Sequence, residues 1–421
     1  MQDNAPTTTQ KALAINLDPL KYGTIAEIGA GQEVARCFFQ AGAAAGTIAK
    51  TMSAYDMNFS DEIYGMAPGG RYVSRPRLEA MLRQEFDLVL NRLENHRPEQ
   101  STFFAFANTV STLGFEKRKE CHGWLGIRLQ HAPKSDPDEV ILHVRLLDDS
   151  NIEQQEALGI LGVNLIFGCY YYRENPKKLF KSLMDNLRWG RAEIDLVELH
   201  GPTLGTVNNR QMGIELVKAS LTRAIMFNPA GKIVMPADAL YKKNVISIRC
   251  GNHRTQRNEI DRIEDIKKSL KDSASDVTEI LPVAEISISK RDNKTSLNTD
   301  QILSDVSILC GKGFYVLISE FFRYFRIRQY LSRYTSGYVG IGTDTDEFEA
   351  LFDEEIYRGL PGGLLEGIGQ VFPDKTFAFV YPSKTKPRYE GPEDISVPRE
   401  TSGLLQYLFD QGKVIPKFGQ A

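Results

Sequence analysis

Apolar residues recur at helical spacing in two long stretches of the chain. The first stretch starts at Pro76 and carries its apolar residues three or four positions apart, namely Leu78, Met81, Leu82, Phe86, Leu90 and Leu93. This spacing predicts an amphipathic helix with one face in the core. The second stretch, residues 157–172, has 16 uncharged residues and no charged face. It predicts a buried helix, because a membrane-spanning helix needs about 20 apolar residues.

Alternating apolar and polar residues predict three strands in the first half of the chain, at 102–110, 122–130 and 140–147. A turn-rich connection, HAPKSDPDE, joins the last two strands and predicts an antiparallel hairpin. A strand pattern at 193–199 and a helical pattern at 209–221 follow. This alternation is typical of a mixed α/β domain.

A more regular alternation occupies the last third of the chain. Strand patterns at 314–319, 338–343 and 376–381 are separated by helical patterns at 320–334 and 346–372. This order predicts a parallel βαβαβ unit. The predicted fold class is therefore α/β, with an N-terminal mixed α/β domain that contains an antiparallel hairpin and a C-terminal parallel βαβαβ unit.

Shifts in composition give the expected domain boundaries. Residues 1–11 are polar and Thr-rich, which predicts a disordered tail, and residues 12–250 form the mixed α/β domain. Residues 251–300 are charged and rich in Ser, Asn and Asp, which indicates a polar linker or insertion. The parallel α/β domain covers 301–382, and 383–421 is a C-terminal tail with a short helix.

Composition and charge limit the classes of partner. The 51 basic and 54 acidic residues give a net charge of -3, which argues against a nucleic-acid partner. The N-terminus lacks a basic start followed by an apolar core, and five cysteines are too few for a disulfide scaffold. A cytoplasmic protein without a membrane partner is therefore expected. Cysteine and histidine spacings indicate no metal site. Oligomerisation stays open, and the sequence indicates no particular cofactor.

The predicted hairpin provides the first candidate site. Polar and aromatic residues alternate with the apolar ones and share one face, namely His122, Trp124, Arg128, Gln130, His143 and Arg145. Guanidinium groups match phosphate oxygens and an indole ring stacks on a base. This face therefore predicts a site for a nucleotide or a phosphorylated small molecule. The alternative is an ordinary solvated face of an antiparallel sheet.

The second candidate is the segment Glu27-Ile-Gly-Ala-Gly31, with Asp56 at the expected end of a second strand. A strand that ends in E-x-G-x-G resembles the first motif of SAM-dependent methyltransferases. Gly29 and Gly31 would let the backbone approach a ligand. The alternative is close packing between Ala/Gly-rich helices, because Glu33 stands where a nucleotide-binding loop has its third glycine.

Two further segments carry polar side chains in loops. Asp61, Arg71 and Arg75 lie in a Gly/Pro-bearing loop, which either lines a site or holds a structural ion pair. Residues 343–346, TDTD, follow a predicted strand at the end where parallel sheets bind ligands. Capping of the next helix is the alternative explanation for these residues.

Several strings in the chain are longer than any of these motifs. They are KYGTIAEIGAGQEVARCFFQAGAAAGTIAKTMSAYDM, SDEIYG, RYVSR, QQEALGILGVNLIFG, ADALYKK and PGGLLEGIGQVF. Together they resemble a widespread, uncharacterised bacterial family with a KYGTxAEIGAGQEVAR motif. Its members carry inconsistent names, nicotinate-nucleotide adenylyltransferase and TonB-dependent receptor among them. The first activity requires an H-x-G-H phosphate-binding loop and the second an export signal, and neither is readable in this sequence. The resemblance therefore implies no particular activity or catalytic residue.

Three functional hypotheses remain open. The first is an enzyme, or former enzyme, that binds or processes a nucleotide or phosphorylated metabolite in the N-terminal domain. The second is a non-catalytic scaffold or assembly protein, which the missing catalytic motif favours. The third is a SAM-dependent methyltransferase built on the Gly29–Gly31 segment.

Overall fold

The computed structural model describes residues 5–114, 120–250, 256–273, 279–288, 298–321, 324–388 and 391–417. The chain divides into two compact units, Met1–Thr222 and Arg223–Ala421. Each unit has its own hydrophobic core. Both units combine helices with a mixed sheet, so the predicted α/β fold class is confirmed.

The first unit is built on a six-stranded sheet. Its strands are β1 (Lys21–Ile28), β2 (Ile48–Met52), β3 (Thr102–Ser111), β4 (His122–Leu129), β5 (Asp138–Leu146) and β6 (Ala192–His200). They follow the order β2-β1-β3-β4-β5-β6. β1 runs parallel to β2 and β3, and from β3 onward each strand is antiparallel to the next. The predicted hairpin is thus β4 and β5.

Helices cover both faces of this sheet. They are α1 (Thr8–Asn16), α2 (Glu33–Ala41), α3 (Met57–Tyr64), α4 (Arg75–Leu93), α5 (Asn151–Tyr171), α6 (Pro176–Ser182) and α7 (Asn209–Lys218). On one face α4 packs against β1, β3 and β4, where Phe86 meets Phe103. On the other face α5 packs with α1 and α2, and its Leu158 shares a core with Leu125. The unit is therefore a three-layer α/β structure.

The two long helices of this unit match their predictions. α4 begins where Ser74 Oγ accepts a hydrogen bond from the Arg77 backbone N–H, and Pro76 lies in its first turn. In α5 the buried residues run without a break from Leu161 to Cys169, as expected of a helix that is enclosed by the core. None of the helices in the described part of the chain combines the length and apolar character needed to cross a membrane.

The start of the chain differs from the expected tail over 1–11. Thr7 caps α1, and Lys11 is fully buried. The Lys11 ammonium donates to Asn164 Oδ1 at 2.8 Å and to Asp185 Oδ2 at 2.7 Å. A polar, Thr-rich composition suggested solvent exposure, but this lysine has polar partners inside the unit. Residues 1–4 lie outside the described part of the chain.

The second unit contains an eight-stranded sheet. Its strands are β7 (Ala224–Phe227), β8 (Ile233–Val234), β9 (Asn244–Arg249), β10 (Ile280–Ser287), β11 (Tyr315–Ser319), β12 (Val339–Asp344), β13 (Thr376–Tyr381) and β14 (Val414–Pro416). The order is β14-β13-β12-β9-β10-β11-β7-β8. The six strands from β9 to β14 are all parallel, and β7 and β8 add an antiparallel edge. Counted from β9, this is the 3-2-1-4-5-6 order of doubly wound sheets.

The helices of the second unit connect these strands. They are α8 (Pro236–Ala239), α9 (Gln256–Ser273), α10 (Thr299–Gly311), α11 (Tyr324–Ser332), α12 (Thr345–Glu349), α13 (Gly363–Val371) and α14 (Ser402–Asp410). The three predicted C-terminal strands are β11, β12 and β13. They run parallel as expected, but β9 and β10 lie between β11 and β12.

The domain boundaries differ from those expected at 250, 300 and 383. The division between the units falls after Thr222 in the sequence, because β7, β8 and β9 pair within the second sheet. The expected linker at 251–300 contains β10, a central strand with fully buried Val283 and Ala284. It also contains α9, whose charged face accounts for the polar composition. Residues 251–255, 274–278 and 289–297 of this stretch lie outside the described residues.

Candidate functional site

A β-bulge in β6 positions the key carboxylate of the candidate site. In the β5–β6 ladder His143 pairs with Leu196 and Val144 pairs with Ile194, so that Asp195 is an extra residue on β6. A bulge of this kind redirects the side chain of the inserted residue. Asp195 consequently joins the sheet face that carries His143.

Asp195, His143 and His122 form a hydrogen-bonded row across β6, β5 and β4. Asp195 Oδ1 lies 2.5 Å from His143 Nδ1, and His143 Nε2 lies 3.0 Å from His122 Nδ1. Asp195 and His143 are buried, whereas His122 is half-buried. The Trp124 ring packs edge-on against His143 with a centroid separation of 4.8 Å. The row therefore begins in the protein interior and ends at a partly accessible imidazole.

The row fixes the tautomer of each neutral imidazole. An ionised carboxylate only accepts hydrogen bonds, so His143 donates its Nδ1–H to Asp195 and accepts at Nε2. His122 must then donate its Nδ1–H to His143, which leaves a lone pair on His122 Nε2. Among the described residues, no hydrogen-bond partner of His122 Nε2 is found. The row therefore presents one basic nitrogen.

Electrostatics keep that nitrogen unprotonated at neutral pH. Burial lowers the pKa of His122 below its ordinary value, and the neighbouring His143 acts in the same direction. The carboxylates of Glu120 and Asp195 oppose this lowering of the pKa. His122 is therefore mainly neutral at pH 7, which is the form that a general base requires.

Two of the predicted arginines flank the row. Arg145 stands directly opposite His122 in the β4–β5 ladder, and its guanidinium bonds to Glu120 Oε1 at 2.9 Å. Arg75, at the start of α4, reaches across to Glu198 on β6 at 2.8 Å and also bonds to Glu79 at 2.7 Å. Both guanidinium groups thus have carboxylate partners next to the histidine row.

Arg128 shares the predicted face but does not join this cluster. It pairs with Glu139 at 3.1 Å and lies over the Phe86 ring of α4. Gly126 separates it from Trp124, and a Cβ on Gly126 would meet Leu82 of α4 at 2.8 Å. At the level of Gly126 and Arg128, the hairpin face is therefore covered by α4. A single anion does not reach Arg128 and Arg145 together, because six strand residues separate the levels of His122 and Arg128 by about 20 Å.

The Gly29–Gly31 segment is held by the fold itself. Gly29 has φ 96°, and a Cβ there would lie 1.9 Å from the Val110 carbonyl oxygen of β3. Gly31 has φ 72°, a Cβ there would make an ordinary contact with Gln155 Oε1 at 3.7 Å, and its N–H donates to Tyr55 Oη at 2.7 Å. Positive φ explains both glycines. Gly29 therefore packs against a strand, not against a helix.

Glu27 of the same motif is committed to a structural role. Its buried carboxylate accepts hydrogen bonds from the backbone N–H groups of Val34 and Ala35, at the start of α2, and from Asn108 Nδ2. Burial raises the pKa of Glu27 to about 7. Close packing also occurs next to it, since a Cβ on Gly162 of α5 would meet Val34 at 2.3 Å.

The remaining loop residues have local partners. Asp56 caps α3 by accepting from the Phe59 N–H at 2.8 Å, and the Arg71 carbonyl oxygen accepts from Ser74 Oγ at 2.8 Å. Asp61 pairs with the buried guanidinium of Arg77, not with Arg71 or Arg75. The structure thus gives Asp56 a capping contact and pairs Asp61 with Arg77.

Asp195 was not among the predicted site residues, although the sequence carries a signal for it. In AEIDLVELH the polar positions alternate up to Asp195, after which Leu196 and Val197 are both apolar and the phase shifts. A strand pattern that slips by one residue indicates a bulge.

In the second unit, the polar residues at 343–346 serve as a helix cap. Asp344 accepts from the Glu347 N–H at 2.9 Å, and Asp346 Oδ1 accepts from Ser383 Oγ at 2.8 Å. The capping interpretation of this segment is therefore correct. Across the described ranges, no group of three or more His, Cys, Asp or Glu residues is arranged to hold a metal ion.

Comparison with known proteins adds the following. No family model and no curated protein matches the chain. Among solved structures, the competence/damage inducible protein CihA from Agrobacterium tumefaciens is 15% identical, covers 39% of this chain and 97% of its own, and has a TM-score of 0.27. A competence-damaged protein (CinA) superfamily protein from Enterobacter cloacae is also 15% identical, covers 40% and 96%, and has a TM-score of 0.30. Similarity at this level carries no argument about function.

Proposed function

We propose that the first unit is an enzyme that performs proton transfer on a small molecule, with His122 Nε2 as the general base. The observation that carries this proposal is the row Asp195–His143–His122, which fixes the tautomers and leaves one basic nitrogen at a partly accessible position. Positioned acid–base groups of this kind contribute about 10²–10⁴-fold to a rate.

The row also stabilises the protonated product of that step. When His122 takes a proton at Nε2, it becomes an imidazolium that still donates its Nδ1–H to His143. His143 in turn remains oriented by the Asp195 carboxylate, whose negative charge favours the imidazolium. Asp195 and His143 are accordingly positioning residues, and His122 is the residue that contacts the substrate.

We propose a nucleotide or phosphorylated metabolite as the substrate class. Arg145 stands next to His122, and its carboxylate partner Glu120 is 50% exposed. Ion pairs with an exposed member contribute about 0–1 kcal/mol, so a phosphate group can replace Glu120 on the guanidinium. Base and anion-binding group would then act on the same ligand.

A metabolite screen followed by two variants tests the proposal. Purified protein is screened by thermal shift and for turnover against nucleotides and phosphorylated metabolites. We expect His122→Gln to lower kcat of the responding substrate by about 10²-fold or more, and Arg145→Gln to raise its KM. His96→Gln, at an exposed histidine, is the control and should leave both values unchanged. Full turnover in His122→Gln would overturn the proposal.

The row itself is tested without a substrate. Because the Asp195 carboxylate raises the pKa of His122, we expect Asp195→Asn to lower that pKa in a ¹⁵N NMR titration. Asp136→Asn, at an exposed acid on the β4–β5 connection, should leave the titration unchanged. An unchanged His122 titration in Asp195→Asn would contradict the coupling between these groups.

A scaffold or assembly role is the second candidate, and one surface feature favours it. Large apolar side chains on and beside α3 are exposed, namely Tyr55, Met57, Phe59 and Met66. Exposed apolar clusters are typical of interaction surfaces. A scaffold would keep its cellular role in His122→Gln and lose it in Phe59→Ser. The methyltransferase alternative gains no support, because the Glu27 carboxylate is used at the start of α2.

A further inference from the structure

The first unit contains a cavity of about 720 Å³ at the opposite end of its sheet from His122. It lies where β1 and β3 begin and β4 ends, beside the last turn of α5 and the start of α6. His131 lies nine residues after His122, along β4 and just beyond its end, so the side of the cavity that His131 lines is on the order of 30 Å from the histidine row. Its volume falls in the range of about 300–1,000 Å³ that small-molecule sites occupy. The cavity is therefore a separate candidate site.

Three consecutive tyrosines give this cavity aromatic walls. Tyr171 stacks on Phe167 at a centroid distance of 4.4 Å, and Tyr172 meets the same ring edge-on at 5.6 Å. Tyr170 packs edge-on against Phe104 at 6.0 Å. Because Phe104 and Phe167 are buried, the tyrosine rings are held in place before any ligand arrives.

Cationic groups surround these rings. The Lys21 ammonium lies 4.7 Å from the Tyr171 ring centre, and the Lys178 ammonium lies 4.2 Å from that of Tyr172. Arg173 lines the same cavity, together with the Glu174 carboxylate that lies 3.9 Å from its guanidinium. Lys21 is paired with Asp18, whereas Lys178 has no carboxylate within ion-pair distance among the described residues. Cations beside aromatic faces favour a ligand that is both flat and anionic.

A buried histidine adds a polar atom that needs a partner. The His131 side chain is 9% exposed, and its Nε2 lies 2.8 Å from the buried Asp138 Oδ2. Although these two atoms are close, neither ring nitrogen of His131 nor Asp138 Oδ2 has a hydrogen bond of ordinary geometry among the described residues. The negative charge of the Asp138 carboxylate favours the proton on the nearer Nε2, which leaves Nδ1 as an acceptor. Buried polar atoms of this kind are usually satisfied by a ligand or water.

We propose that this cavity binds an anionic aromatic small molecule of the nucleoside monophosphate class. Its ring lies against Tyr170–Tyr172, its phosphate lies beside Lys21, Lys178 and Arg173, and a hydroxyl or amino group donates to His131. This site is distinct from the proton-transfer site and does not depend on it.

Calorimetric titration of the full chain tests this proposal with three kinds of probe. The probes are nucleoside monophosphates, the matching nucleosides and inorganic phosphate. We expect one or more monophosphates to bind, the nucleoside to bind at least about tenfold more weakly, and phosphate alone to bind more weakly still. No binding of any monophosphate, or equal binding of phosphate alone, would overturn the proposal.

Two lysines on α6 provide a matched pair of variants. Lys178 lines the cavity, and Lys181, on the same helix and also exposed, does not. Lys178→Ala should weaken binding about tenfold or more, Tyr171→Leu should weaken it as well, and Lys181→Ala should not. His96→Gln, at an exposed histidine outside the cavity, should leave binding unchanged. Loss of binding in His122→Gln but not in Lys178→Ala would place the ligand at the histidine row and refute the cavity.

Discussion

Three histidines of the first unit have pKa values that the fold shifts in different directions, and each shift makes the free energy of unfolding depend on pH. Burial lowers the pKa of His122 and of His131, while the bond to Glu198 raises the pKa of His200. A lowered pKa means that the unfolded chain binds more protons than the folded chain near pH 6.5. The free energy of unfolding that is due to His122 and His131 is therefore fully present above about pH 6.5 and falls as the pH drops below it. His200 acts in the opposite sense.

We expect His122→Gln to lose less stability between pH 7.5 and pH 5.5 than the unsubstituted chain. Glutamine does not bind a proton in this pH range, so the pH-dependent contribution of His122 to the free energy of unfolding disappears and that of His131 remains. Urea unfolding at both pH values measures the difference, and His96→Gln serves as the control. An equal or larger pH dependence in His122→Gln would show that His122 is not held neutral by the fold.

At the scale of elements, the turn after β1 contains two glycines, and replacement of Gly29 should destabilise it more than replacement of Gly31. Both Gly29 and Gly31 have positive φ, but only at Gly29 would a Cβ collide with a backbone carbonyl oxygen, at 1.9 Å. Positive φ alone costs an alanine about 1–2 kcal/mol. The collision with Val110 adds steric repulsion, which can be relieved only if β1 and β3 move apart.

We therefore expect Gly29→Ala to lower the free energy of unfolding by about 3 kcal/mol or more. Gly31→Ala, whose Cβ would make only an ordinary contact with Gln155 Oε1 at 3.7 Å, should cost about 1–2 kcal/mol. Chemical unfolding of the two single variants gives the comparison. An equal decrease in the free energy of unfolding of both variants would mean that β3 moves to accommodate a side chain at position 29.

Features that depend on neighbouring residues could be predicted from the sequence, whereas features that depend on distant residues could not. Alternation alone predicted which residues of β4 and β5 share a face, and the observed pairs His122–Arg145 and Trp124–His143 lie on that face. The packing of α4 over Gly126 could not be predicted, because the sequence does not indicate which helix packs on which face of the sheet. The row also needed Asp195, whose bulge becomes visible only when the β5–β6 ladder is known.

At the scale of the whole molecule, strand partners decide where the units begin and end. The apolar sequences of β7 and β9 do not indicate which of the two sheets each strand joins. Their pairing with β11, β10 and β12 assigns them to the second unit. Such pairings are distant in sequence, so composition placed the boundary at the next polar stretch instead.

Expression of fragments tests this assignment. We expect 1–222 and 223–421 each to fold, with cooperative thermal melts and native-like circular dichroism, because each contains a complete sheet and core. The pair 1–250 and 251–421 removes β9 from the centre of the second sheet. Fragment 251–421 should therefore fail to unfold cooperatively. A cooperative melt of 251–421 would contradict the central role of β9.

The central place of β9 also has a consequence for synthesis on the ribosome. β9 pairs with β10 on one side and with β12 on the other, and Val245 and Ile246 are fully buried in the finished sheet. β12 is translated about 90 residues after β9, which at about 5–20 residues per second takes on the order of 5–20 s. Throughout that interval the nascent chain carries an unpaired, apolar strand edge. We expect a chaperone to bind the growing chain at this edge during that interval.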